Sequence, residues 1–117
     1  MEGGEAMSTS ILNDVKHMLG LQPDNTAFDS DIIIHINSTF GTLTQLGVGP
    51  AEGYMITDDT STWDEFFDDP RLNAVKSYLF VCAKLMFDPP ASGFVTESMN
   101  RQKEEMEYRL NVVADYG

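Results

Sequence analysis

One cysteine, Cys82, is the whole thiol content of the chain, which excludes an internal disulfide framework and any zinc site built from cysteines. Basic residues are also scarce: seven Lys and Arg stand against 19 Asp and Glu in 117 residues, for a formal charge of −12. A duplex-binding protein neutralises phosphates with Lys and Arg, so the summed field here disfavours non-specific binding to DNA or to an anionic membrane. No apolar run approaches the ~18 residues of a membrane span, and the acidic start lacks the pattern of a signal peptide. The two histidines, His17 and His35, form no His-x-x-x-His pair, and there is no Cys-x-x-Cys. What is present is 42% apolar residues, 10% of all residues being aromatic. That is enough for one packed core, in a length that suits a single soluble, intracellular-type domain.

The acids are unevenly placed. Between His17 and Pro70 there is no Lys or Arg, and there are ten acids: Asp24, Asp29, Asp31, Glu52, Asp58, Asp59, Asp64, Glu65, Asp68 and Asp69. From Arg71 onward six bases meet six acids. The middle of the chain is either a solvated acidic surface or one suited to repel phosphate or to meet a basic partner.

Residues 1–8 show no periodicity and are expected to form a flexible extension, with Met7 as an alternative start. A first helix should follow Thr9 or Ser10 as N-cap, with Ile11, Leu12, Val15, Met18 and Leu19 on its apolar stripe. Asn13, Asp14 and His17 fall on the wet face, and Gly20 is placed to end the helix. A second helix from Asp29 or Ser30 to about Leu46 carries Ile33, Ile36, Phe40 and Leu43 at steps of three and four, and Gly47, Gly49 and Pro50 stop it. Residues 47–70 are irregular. Within them Tyr54-Met55-Ile56-Thr57 reads as a short strand, while Trp63, Phe66 and Phe67 have the spacing of a short helix pinning the loop to the core. A third long helix, roughly Arg71 to Phe87, has two apolar strips: Leu72, Val75, Leu79, Cys82 and Met86, then Tyr78, Val81 and Leu85. It should be the central helix, and Asp88-Pro89-Pro90 ends it. A fourth helix follows Ser92, with Val95, Met99, Gln102, Met106, Leu110 and Val113 as its stripe. Glu97–Arg101 and Glu105–Arg109 are i,i+4 pairs. Its far end and Asn111–Gly117 should project from the body. The fold class is therefore all-α, a small bundle of about four helices with a long, partly extended loop between helices 2 and 3.

Sites for chemistry are sought and mostly not found. Asp31 and His35 lie one turn apart, but a surface ion pair explains that spacing better than a metal site. Asp58-Asp59-Thr60-Ser61-Thr62-Trp63 lacks the glycine and spaced acids of a calcium loop. Gly47-Val48-Gly49-Pro50 is no phosphate cradle, because no helix start, Lys or Ser/Thr follows in register. Cys82 falls mid-stripe, where packing accounts for it better than nucleophilic chemistry. Met18, Met86, Met99 and Met106 read as core fillers. Tyr54, Met55 and Trp63 around an acidic, glycine-bearing loop are residue types that interfaces favour. No catalytic, cofactor-binding or metal-binding residue is expected, and no cofactor.

The ordered motifs Ile11-Leu12-Asn13-Asp14-Val15-Lys16, Ala27-Phe28-Asp29-Ser30-Asp31-Ile32-Ile33-Ile34-His35-Ile36-Asn37 and Leu43-Thr44-Gln45-Leu46-Gly47-Val48-Gly49-Pro50 resemble those of tailed-phage head–tail connector proteins, the adaptor family of siphophages. The likeness continues through Val75-Lys76-Ser77-Tyr78, Phe87-Asp88-Pro89-Pro90 and Asn100-Arg101-Gln102 to Arg109-Leu110-Asn111-Val112, covering about residues 11–112. The resemblance implies a non-enzymatic virion protein, assembled in the bacterial host cytoplasm, with residues 9–113 as a helical connector domain and 114–117 as a tail. It implies a homo-oligomeric ring of about twelve copies, closed by heterologous contacts beneath the portal protein. A next connector or tail-completion protein would dock below, and DNA would pass through during packaging and genome ejection without specific binding. No membrane is involved. In similar proteins the segment after the second helix faces a neighbour or the channel, which carried over by segment is Gly47–Thr62; the candidate contact residues in and beside it are Tyr54, Met55, Asp58, Asp59 and Trp63. The C-terminal tail reaches toward the portal, which carried over by segment is Asn111–Gly117, with Asn111, Val112, Val113 and Tyr116 as the candidate contact residues. The competing reading, from composition alone, is an acidic interaction or regulatory module such as an inhibitor mimicking nucleic-acid charge.

Overall fold

The computed structural model describes residues 9–66 and 72–116, the side chains of Leu72 and of residues 113–116 excepted. Five helices follow in order: α1 (Ile11–Met18), α2 (Asp29–Gln45), α3 (Trp63–Phe66), α4 (Leu72–Phe87) and α5 (Gly93–Tyr116). No strand occurs among the described residues; one isolated antiparallel bridge joins Ser10 to Thr62. The fold is the all-α bundle the periodicity implies, with the expected short helix at Trp63 present as α3. The expectations for residues 1–8, Phe67, Asp68, Asp69 and Arg71 lie outside the described residues.

Local chemistry explains where the helices begin and end. The Ser10 hydroxyl accepts from the Asn13 N–H at 3.2 Å, satisfying one of the donors that an α1 N-terminus leaves unpaired. Both α1 and α2 finish in the same hydrogen-bonded motif around a glycine with positive φ. Gly20 N–H reaches His17 and Leu21 N–H reaches Lys16, just as Gly47 N–H reaches Thr44 and Val48 N–H reaches Leu43. α4 stops at Phe87, ahead of the Asp88-Pro89-Pro90 break, and Lys84 and Asp88 pair across its last turn at 2.8 Å.

α4 is the central helix, packing against α1, α2 and α5. The core is Ile11, Leu12 and Val15 of α1, Ile32, Ile36, Phe40 and Leu43 of α2, and Val75, Tyr78, Leu79, Cys82 and Ala83 of α4. The connection between α2 and α4 supplies four more, Val48, Ile56, Trp63 and Phe66, whereas α5 supplies Leu110 alone among the described side chains. The long loop is thus a wall of the core, and α5 is applied to the surface.

Several sequence expectations are corrected. The α2 stripe is centred on Ile32 rather than Ile33, which is only half-buried, because α1 and α4 meet α2 on the Ile32–Ile36 side. Met18 is 55% exposed and Met86 41% exposed, so neither fills the core; Met106 does pack against it. On α5, Val95 and Gln102 are exposed; among the described side chains of this helix, those that reach the core lie between Met106 and Leu110. Arg109 pairs with Glu105 at 2.9 Å as expected, but Arg101 makes no ion pair with Glu97 among the described residues. His35 lies edge-on to Phe87, with ring centroids 6.5 Å apart, and does not pair with Asp31.

Candidate functional site

The α2–α4 connection is held in place at four points. After the α2 end, the backbone passes Phe66 so closely that a Cβ on Gly49 would sit 2.6 Å from the ring; with φ at +89°, the position accepts only glycine without strain. Tyr54 then joins Phe40 and Phe66 in an aromatic trio, with centroid separations of 5.3 Å (Phe40–Tyr54), 4.5 Å (Phe40–Phe66) and 5.4 Å (Tyr54–Phe66). Its hydroxyl donates to Glu65 at 3.2 Å, and burial is the main cause that raises its pKa.

At Ile56 the loop meets α2. The Ile56 N–H donates to Asn37 Oδ1 at 2.8 Å, and Asn37 Nδ2 donates to the Ile56 carbonyl at 2.9 Å. One carboxamide thus satisfies both backbone groups of a buried residue, as a neighbouring strand would. This is why Tyr54–Thr57, expected as a strand, needs no strand partner. Asn37→Leu should leave both groups unpaired. We expect a loss of about 2 kcal/mol, read as a lower urea midpoint, together with rapid exchange of the Ile56 amide hydrogen.

The fourth anchor is Trp63, 0% exposed, whose indole N–H donates to Asp14 Oδ2 at 2.7 Å. Thr9 donates to the same carboxylate oxygen. The ring stands edge-on to Phe80, and the Lys76 ammonium lies 5.1 Å from its centroid. Asp14, expected on the wet face of α1, is half-buried under this contact. Trp63 therefore positions the loop from inside the subunit. Of the other loop residues singled out from the sequence, Tyr54 is half-buried, and Met55, Asp58 and Asp59 are exposed.

The outward face of the loop is acidic. Glu52, Asp58, Asp59, Asp64 and Glu65 are all exposed. Asp58 accepts from the hydroxyl and the N–H of Thr60 at 2.6 and 2.9 Å, and these bonds, the hydroxyl first, hold its carboxyl below the usual range. Beside it, Asn37, Gly41 and Thr44 of α2 and Glu52, Gly53, Tyr54 and Met55 of the loop border an open groove of ≈ 590 Å³.

The other expected contact region is the end of α5. Helix continues through Asn111 and Val112 to Tyr116, so these residues are the last turns of α5. Leu110 is buried, and the Asn111 side chain donates to the Leu46 carbonyl at 3.3 Å, satisfying a carbonyl at the end of α2. The side chains of Val113 and Tyr116 lie outside the described residues. Nearer the middle of α5, Glu107 accepts from the Tyr78 hydroxyl at 2.7 Å and meets Lys103 at 3.4 Å. These contacts latch α5 to α4.

Tyr78 and Cys82, both buried on α4, have pKa values raised chiefly by loss of solvation. The fold favours their protonated forms, while the unfolded chain ionises them near 10.0 and 9.0. Their contribution to stability is complete below about pH 9 and declines as pH rises beyond it. We expect the Tm to fall steeply from about pH 9 upward, and Cys82→Ala to soften that fall. A Tm that stays level up to about pH 10.5 would contradict this.

Two functional side chains escaped the sequence reading. Asn37 lies in the α2 pattern as an ordinary polar residue, and nothing near it in sequence signals Ile56. Lys16 lies between two core residues of the helical period and is 1% exposed. Its ammonium donates to the Pro23 carbonyl at 2.9 Å and sits 2.8 Å from Asp29 Oδ1. The buried Asp29 Oδ1 has the Lys16 ammonium as its ion-pair partner. Together these tie the α1–α2 turn to both helices.

Among the described residues no group of three or more His, Cys, Asp or Glu is placed to hold a metal ion, and no helix is long and apolar enough to cross a membrane. A family model described as phage connector protein matches residues 11–117. No curated protein and no solved structure matches the chain.

Proposed function

The chain belongs to the phage connector protein family, a structural virion family, and from that premise we propose that it is a head–tail adaptor: it forms a ring beneath the portal, docks the next connector or tail component and lets DNA pass. The family match over residues 11–117 carries this reading. Two features of the fold support it. The loop after α2 is anchored from within by Ile56, Trp63 and Phe66, so its outer face is free to meet a neighbour without being needed for the core. α5 extends for 24 residues, about 36 Å, yet is fastened to the body mainly between Lys103 and Asn111. Its N-terminal end, where Phe94 and Val95 are exposed, is thereby available to neighbours. Heterologous contacts between such distinct surfaces generate rings where the rotation between subunits closes.

The acidic loop fits a channel that holds DNA loosely. Exposed carboxylates facing a lumen repel phosphate, and residues 17–70 contain no Lys or Arg. Multi-angle light scattering of the chain alone and with the portal protein of its own phage tests the adaptor reading. A ring, or a stable joint complex, is the expected result. A chain that stays monomeric with portal and with its sister connectors would overturn it. The lumen assignment has a separate test, because a ring structure with Glu52, Asp58 and Asp59 all on the outer rim would exclude it.

A further inference from the structure

The helical stripes of the chain hold more apolar side chains than the subunit buries. Met18 on the stripe of α1 is exposed, and Val81 of α4 and Met99 of α5 are only half-buried. These three meet in one place. With Phe80 and Lys84 they border an open groove of ≈ 210 Å³ where α1, α4 and α5 come together. That volume is below the ~300–1,000 Å³ of small-molecule sites and suits a single unbranched apolar side chain. The subunit also carries such a side chain in the open. Met55, on the α2–α4 connection, is 65% exposed, while Tyr54 and Ile56 on either side of it are held inward by Phe40 and Asn37. In its own subunit Met55 borders the other groove, beside Asn37, Gly41 and Thr44 of α2. Peg and socket therefore belong to different elements, and a contact between them across two copies is heterologous, as a ring requires.

Charge selects the occupant. Met55 is set among Glu52, Asp58 and Asp59, all exposed, in a stretch of sequence without Lys or Arg. Among the described residues every base except Lys16 lies on α4 or α5, and Lys84 is itself a wall of the groove. Its ammonium stands 2.8 Å from Asp88 and is 38% exposed. An exposed pair of this kind contributes little, so Lys84 is able to turn to an incoming carboxylate. Phe80 lies one helical turn from Lys76 as well as from Lys84, which makes the α4 side of the groove basic. An acidic loop tipped with methionine matches this groove in size, polarity and charge, whereas a basic segment would be repelled.

We propose that the α2–α4 loop of one copy seats Met55 in the groove formed by Met18, Phe80, Val81 and Met99 of a second copy, with its acids beside Lys84. The inference rests on the adaptor reading and names the surfaces that join neighbouring subunits. The exposed acids of the loop outnumber Lys84, so carboxylates remain to face the lumen. One methionine in a groove buries far less than the ~1,000 Å² of a stable interface. The contact is therefore weak between two isolated copies and gains strength when ring closure makes every copy use both its surfaces.

The test is disulfide trapping in the full chain. Met55→Cys and Met18→Cys chains, one of them tagged and both carrying Cys82→Ala, are mixed at about 1 mM in about 50 mM salt, with and without portal protein, and oxidised. Circular dichroism checks that each is folded; if Cys82→Ala is not, the same mixtures with Cys82 retained serve, because that thiol is buried. The mixed pair should cross-link at least about tenfold faster than Met55→Cys with Ile34→Cys, a comparably exposed position on α2. Lys84→Glu on the groove chain, or about 0.5 M salt, should slow the mixed pair at least about threefold. Glu52→Lys with Asp58→Lys on the loop chain should restore the rate against Lys84→Glu. Equal rates at Met18→Cys and Ile34→Cys would overturn the proposal, and so would charge reversal without effect. Cross-linking of Met18→Cys to portal in preference to Met55→Cys would overturn it in favour of portal as the occupant. A Met18→Cys thiol that is shielded from maleimide in the dilute subunit and freed by deleting residues 1–6 would overturn it in favour of the chain's own start. A complex with portal in light scattering but no such cross-link removes this inference and leaves the adaptor reading standing; loss of both removes the reading as well.

Discussion

Trp63→Ala is expected to lower folding stability by about 4 kcal/mol, the largest effect of any single substitution in the loop. The ring is wholly buried among α1, α4 and the loop, and its truncation leaves a void that the surrounding helices only partly close. It also removes the indole bond to Asp14 and the platform beneath Lys76. Against a total of about 5–15 kcal/mol for a domain of this kind, such a loss brings the protein close to unfolding at 37 °C. Trp63→Phe retains most of the apolar burial and forfeits the hydrogen bond, so about 1–2 kcal/mol is expected. Because Trp63 is the sole tryptophan, the unfolding of the wild type can be followed by its emission, and the variants by far-ultraviolet circular dichroism. Equal stability of wild type and Trp63→Ala in urea would refute the view that this ring anchors the loop. The functional consequence follows from position: with the anchor gone, Glu52–Asp59 no longer present a defined surface, and assembly should fail at temperatures where the helices remain folded.

Asp29→Ala should cost about 3 kcal/mol, and more than Lys16→Met. The asymmetry comes from burial. Lys16 is enclosed, 1% exposed, and retains only the Pro23 carbonyl when its counter-ion is removed. Asp29 is 26% exposed and can turn to water when Lys16 is replaced. Removing one partner strands a buried charge in the first case and a partly solvated one in the second. Methionine also keeps much of the volume of the lysine stem, which the core around α1 already accommodates. Thermal melts of the two variants would decide it. If Lys16→Met proved the more damaging, the pair would be stabilising chiefly through the lysine's bond to Pro23.

These predictions share one theme. The parts of the chain that present a surface to partners are held by contacts facing inward: Trp63 with Asp14, Ile56 with Asn37, Asn111 with Leu46 and Lys16 with Asp29. A subunit built this way can carry an acidic loop without relying on exposed charges for its own stability. It can therefore devote Met55, Asp58 and Asp59 to contact or to repulsion.

Residue pattern alone determined the four long helices, because each has a local signal: a hydroxyl at Ser10, glycines at 20 and 47, a Pro-Pro stop after Asp88, and apolar steps of three and four. It also determined that the acids concentrate in the middle of the chain and that Cys82 belongs to the packing of α4. Tertiary structure decided the rest, since burial depends on what faces a residue and not on its own period. Met18 sits on the apolar side of α1 and is 55% exposed because, among the described residues, none covers that side chain. Lys16 is charged and buried because Pro23 and Asp29 happen to surround it. The strand-like run Tyr54–Thr57 found a side chain on α2, 19 residues from Ile56, in place of a second strand. Asp14 left the wet face because Trp63, 49 residues away, came to lie over it. Periodicity is a property of neighbours within a turn or two, whereas these bonds close loops of many residues. They exist only once the chain has folded on itself.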